Sequence, residues 1–229
     1  IGDNDALVFI KKEFDRQKFA DAEKNALEVL KIYPIFDDAR ILLARSQLAQ
    51  NKITDAQRNF EEILKLKLPT AQSMAWANVG LGEIAQKTGQ NVNARKYFDE
   101  AIKNNSDLSA TLAARRGRDK IGATEVDTNI KNFFVSFDKA VAANNKSEVD
   151  AMIINGELSR FALNVSGQAQ QWTSQILQVD KIDERNMLVE ANMSIKLLNR
   201  EVETGMAVYR LTKVGNDWKL SGVEIFEVG

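Results

Sequence analysis

WANVGLGEIAQKTGQNVNARKYFDEAIKNN, residues Trp76 to Asn105, reads as two amphipathic helices joined by a tight turn. Thr70 stands where a cap is needed. Met74, Ala77, Leu81, Ile84 and Ala85 then recur at spacings of three and four, the period of one helix face. Gly89 follows, a residue suited to the left-handed turn that closes a helix. Val92, Ala94, Tyr97, Phe98, Ala101 and Ile102 make the stripe of the second helix. Gly82 and Ala94 are small where the two helices must approach, and Phe98 fills the space beyond.

The same plan occurs twice upstream. Residues 54–64, TDAQRNFEEIL, align with residues 92–102, VNARKYFDEAI, and residues 20–30, ADAEKNALEVL, follow the pattern. Ala22, Ala56 and Ala94 are separated by 34 and 38 residues, and Pro34 and Pro69 close the first two units. This spacing resembles the tetratricopeptide repeat, whose unit is about 34 residues. The first unit departs from it, with Ala26 in place of Phe and Glu13 where a large aromatic is usual. A generic helical bundle is the alternative. The resemblance implies three helix pairs and a capping helix over residues 1–122.

Asp37 or Asp38 is expected to cap the helix through Ala49, and Thr54 the helix 55–67. Leu108 to Lys120 reads as the capping helix. Leu108, Leu112 and Ala113 face inward in this reading, and Arg115, Arg116, Arg118 and Lys120 form a solvated outer face. No aromatics interleave those cations, which argues against nucleic-acid binding.

Gly122-Ala123-Thr124 reads as a hinge and Thr124 to Asp127 as a capping box opening a helix through about Ala143. Ser147 is expected to cap a short helix. Asn155-Gly156 is a turn, and Leu158 to Val165 fits helix or strand. Residues 175–182, Met187 to Leu197, Val202 to Leu211 and Trp218 to Val228 read as strands, with the Met187 segment alternating most cleanly. In the last two strands both faces carry apolar residues, so both require cover. One cover is the helix 125–143; the other is the repeat domain, a second copy (a homodimer) or a ligand. The order of elements resembles the nuclear-transport-factor-two-like (SnoaL-like) superfamily over residues 125–229. That resemblance implies a curved antiparallel sheet wrapped on helices around a pocket. A cystatin-like sheet is the alternative. The fold class is α+β, with domains at 1–122 and 125–229.

The chain has 229 residues, no cysteine, no histidine and a net charge of −1. Thiol chemistry is thereby excluded, and the commonest general base and zinc ligand are missing. Residues 1–122 carry 20 basic and 17 acidic side chains, the remainder 11 and 15, so neither half has a strong field. No apolar run approaches about 20 residues, so no membrane span is expected. Ile1 rather than Met begins the chain, which is compatible with an upstream signal or anchor and hence with periplasmic or envelope residence; the compartment stays unknown. Asp37-Asp38 and Glu61-Glu62 do not converge as metal ligands would, and no phosphate loop occurs. No cofactor, metal or catalytic residue is expected. Asp180, Glu190, Glu203, Tyr209 and Glu224 are the residues an acid–base pocket would draw on, but carboxylates at alternating strand positions more often face solvent.

The expected role is therefore non-enzymatic protein binding. In the tetratricopeptide family the first helix of each pair lines a concave groove that holds a peptide or helix. Carried over by alignment, that groove is Leu7, Lys11, Ile41, Arg45, Leu48, Trp76, Val79 and Glu83. The Lys and Asn clamp of chaperone-binding members is not reproduced, since Glu83 and Gln86 stand in the third unit. The alternative function is a small-molecule or catalytic pocket in the C-terminal domain, with the repeats as a targeting arm.

Overall fold

The computed structural model describes residues 3–229; Ile1 and Gly2, with which the expected first domain begins, lie outside the described residues. Among them, ten helices precede a four-stranded antiparallel sheet, an α+β arrangement. The chain divides into two compact units, one ending at Ile121 and the other spanning Gly122–Gly229.

The first unit stacks the antiparallel helices α1 (Asp3–Asp15) and α2 (Phe19–Ile32), α3 (Asp37–Ala49) and α4 (Ile53–Lys65), and α5 (Ala71–Lys87) and α6 (Asn91–Asn104). The helix α7 (Leu108–Ile121) packs on α5 and α6. Ala22, Ala56 and Ala94 are fully buried, so each pair closes over a methyl group. Phe60 and Phe98 are equally buried. Phe60 lies against Gly80 of the following pair, and Phe98 lies between Gly82 of its own pair and Gly117 of α7. Each ring thus fills a notch that only glycine leaves open, which sets the stacking distance between layers. Gln17, Asn51, Gly89 and Asn105 adopt positive φ at helix ends, where one left-handed residue reverses the chain.

The second unit opens with α8 (Thr128–Ala142), α9 (Lys146–Ala151) and α10 (Gly156–Ser166). Four strands then follow in sequence order: β1 (Ala169–Lys181), β2 (Asn186–Leu197), β3 (Val202–Val214) and β4 (Asp217–Val228). Ile130, Phe134, Phe137 and Val141 of α8 pack on Trp172, Val189, Ala191, Met193, Tyr209 and Leu211 of the sheet. Irregular registers interrupt β1 after Ile176 and the β3–β4 pairing after Val208 and Arg210. Such bulges sharpen strand bending. Ile153 forms a parallel bridge with Leu220, tying the segment after α9 to β4.

Several local expectations change. α4 starts at Ile53 behind Lys52, so Thr54 lies inside the helix; the turn at Asn51 leads directly into it. Phe36 holds the cap position of α3. Asp37 instead accepts from the Thr70 N–H at 2.6 Å. Asp127, not Thr124, caps α8, accepting from the Asn129 N–H at 2.7 Å. Thr124 donates its backbone N–H to Leu177 O, which holds residues before Asp127 along β1 and out of the helix. Asn145, not Ser147, caps α9. The ambiguous Leu158–Val165 segment is helical because Asn155 accepts from both Glu157 and Leu158 N–H groups. In α7, Leu112 is buried and Arg116 and Lys120 are exposed, as expected, but Arg115 and Arg118 are buried and Leu108 is exposed, so those three lie on the opposite side from the one expected. Arg118 donates to Asp99 at 3.0 Å, which supplies one acceptor for its buried charge.

Candidate functional site

α1, α3 and α5, the first helices of the three pairs, form a continuous surface with two adjoining depressions. The larger, about 320 Å³, is lined by Arg45, Leu48, Trp76, Val79 and Glu83 together with Phe14, Phe60 and Lys87. The smaller, about 160 Å³, is lined by Leu7, Lys11, Ile41, Arg45 and Trp76 together with Asp38, Gln72 and Ser73. All eight residues expected in the groove therefore come together. Arg45 and Trp76 belong to both depressions.

Arg45 is the centre of this surface. Its guanidinium carbon lies 3.6 Å from the centroid of the Trp76 ring and 4.6 Å from that of Phe14. These contacts hold a cation from α3 against rings from α5 and α1. A cation over an aromatic face contributes about 0.5–2 kcal/mol, more as water is excluded. Arg45 makes no hydrogen bond or ion pair to any described residue, and neither does Glu83. Burial pushes the Arg45 pKa down, opposed by the charges of Glu83, Asp107 and Asp15. Burial pushes Glu83 up, opposed by Arg45, Lys87 and Lys120. Phe14 and Lys87 were not among the expected groove residues. Phe14 belongs to the apolar face of α1, and its position over Arg45 depends on how that helix meets α3.

The second unit has an apolar cavity of about 160 Å³ between α8, α10 and the sheet, partly open to solvent beside Phe161 and Phe226. Phe137 and Val141 supply one wall, Phe161, Ala162 and Val165 of α10 another, and Trp172, Tyr209, Leu220 and Phe226 the floor. Tyr209 turns its hydroxyl to Met193 Sδ at 3.6 Å. Burial, and secondarily the charge of Asp138, push its pKa far up. Asp180, Glu190, Glu203 and Glu224 do not line this cavity. Glu224 is engaged by Arg210 at 2.7 Å, and Glu203 lies 3.8 Å from Arg200. Sequence reading passed over Asp138 on α8, which accepts from the backbone N–H and hydroxyl of Ser174, both at 2.7 Å. Burial raises its pKa to about 6 against the pull of those bonds. The polar residue inside an apolar helix was the available signal.

Among the described residues no cluster of three or more His, Cys, Asp or Glu could hold a metal ion, and no helix is long and apolar enough to cross a membrane. No known family model matches the chain, and no curated protein matches it closely.

Proposed function

We propose that this protein is a tetratricopeptide-type interaction module that holds a protein segment, extended or helical, in the groove of α1, α3 and α5. Its C-terminal part is read as a nuclear-transport-factor-two-like domain. The repeat reading is supported by the spacing of the buried Ala22, Ala56 and Ala94 and by the rings of Phe60 and Phe98 seated on glycines. The C-terminal reading is supported by the four-strand meander, the helix α8 laid across it and the Ile153–Leu220 bridge. The observation that carries the binding role is Arg45, fixed over Trp76 and Phe14 in a concave surface with its N–H groups engaged by no described residue. Arg and Trp are the types that dominate binding energy at interfaces. The reading assigns no chemistry to the module.

The test is capture of partners from the source organism's lysate by the intact protein and by an Arg45→Glu/Trp76→Ala variant of unchanged circular dichroism. The groove reading expects a partner held by the first and lost by the second. Equal capture by both would remove the groove from consideration.

A second reading has its own observation. The cavity of about 160 Å³ walled by Phe161, Trp172 and Phe226 is the size of a small apolar molecule or of one end of a longer one. In this reading the C-terminal domain binds such a ligand and the repeats bring it to a partner.

A further inference from the structure

The polar groups of the groove are not all engaged. The larger depression brings the cations Arg45 and Lys87 against one anion, Glu83. The smaller brings Arg45 and Lys11 against Asp38. Lys11 is already bonded to Asp15 at 2.9 Å. Arg45 and Lys87 have no hydrogen bond or ion pair with any described residue, and Glu83 lies beyond ion-pair distance of both. With Asp15 counted, the charges of the two depressions balance, and what is left over is the unengaged donor fork of a half-buried guanidinium.

Resting on the groove reading above, we infer that the occupant is an acidic peptide segment. One Asp or Glu side chain docks on Arg45, and a neighbouring aliphatic or aromatic side chain lies against Leu48 and Val79. A carboxylate matches the planar donor fork of a guanidinium with two acceptors at once, which a carboxamide cannot do. The partial burial of Arg45 strengthens that contact, because water screens it less than at an open surface. The rings of Trp76 and Phe14 hold the fork before the ligand arrives, so little ordering remains to oppose binding. Leu48 and Val79 are buried apolar residues in the same depression, which places the apolar contact beside the charged one.

The experiment pans a displayed library of random peptides against the full chain and, in parallel, against Trp76→Ala to mark groove-dependent binders. Selected peptides are then synthesised in two forms, with the acidic residue kept or changed to its amide. The expected result is enrichment of Asp or Glu next to Leu, Ile, Val or Phe. The amide form should bind about tenfold or more weakly. Rising salt should weaken the acidic form and barely change the amide form. Arg45→Gln should remove the preference for the acidic form; should that variant not fold, the two peptide forms on the unaltered protein decide the matter. Groove-dependent peptides without an acidic preference would overturn this inference and leave the groove reading standing. Selection yielding no peptide sensitive to Trp76→Ala would overturn both.

Discussion

Trp172 on β1 stacks with Phe226 on β4, their ring centroids 6.3 Å apart and their planes within 22°, although β1 and β4 are the two edges of the sheet. In a flat sheet three strand spacings would separate those edges by about 14 Å. The side chains meet because the sheet curls, a bend that the bulges in β1 and between β3 and β4 favour. The two rings share the floor of the apolar cavity.

An apolar cavity of about 150 Å³ in another protein stays dry and binds benzene or xenon. Benzene should therefore raise the melting temperature of this protein and perturb Trp172 fluorescence in a Trp76→Phe/Trp218→Phe background. Ala162→Leu, which fills the cavity from α10, should abolish both effects while keeping the fold. A benzene response unchanged by Ala162→Leu would place the ligand elsewhere.

Gly80→Ala tests the stacking of the helical layers. In an open helix this change stabilises by about 1 kcal/mol. Here the added methyl would sit inside the Phe60 ring. Overpacking of that kind costs about 1–3 kcal/mol or more, so the clash should win. Denaturant unfolding should show a net loss of about 1–2 kcal/mol, and Phe60→Leu in the same chain should recover part of it. A Gly80→Ala protein as stable as its parent would contradict the notch.

The start of α8 distinguishes two capping residues. Asp127→Ala removes the acceptor of the Asn129 N–H and should cost about 1 kcal/mol. Thr124→Ala leaves the backbone bond to Leu177 O in place and should be nearly neutral. Melting temperatures of the two variants would rank the other way if Thr124 were the cap.

Asp138 should make stability depend on pH. An unfolded aspartate titrates near about 3.9. Burial lifts the folded value to about 6, so between the two the folded chain holds a proton that the unfolded chain releases. The stabilisation is fully present at low pH and is lost as pH rises through about 6. Its size is about 1–2 kcal/mol once partial exposure is allowed for. Asp138→Asn can still bond Ser174 and should lose this part of the slope; unfolding curves of the two proteins that stay parallel from about pH 4 to about pH 7 would refute the assignment.

The helices of the first unit were legible because their signals are local. Apolar spacing, the left-handed Gly89 and the Thr70 cap, which accepts from the Ser73 N–H at 3.1 Å, involve residues within a few positions of one another. The alternation from Met187 to Leu197 placed β2 for the same reason. Local signals fail where a distant contact decides the outcome. Leu177 holds Thr124 out of α8, and the left-handed turn at Asn51 carries the chain into α4 before Thr54 is reached. The eight residues expected to line a groove could be aligned from the repeat, but the position of Phe14 over Arg45 could not, because it depends on the packing of α1 on α3.

By itself the sequence determined the α+β order of elements, the repeat and the small residues on which its layers close, since periodicity and steric size act along the chain. Tertiary structure alone decided that Trp172 would meet Phe226, that Asp138 would be buried beside Ser174, and that Arg45 would lie over two rings from neighbouring helices. Each of those joins residues tens of positions apart, and its geometry depends on the curl of a sheet or the crossing of helices, which no short stretch of sequence encodes.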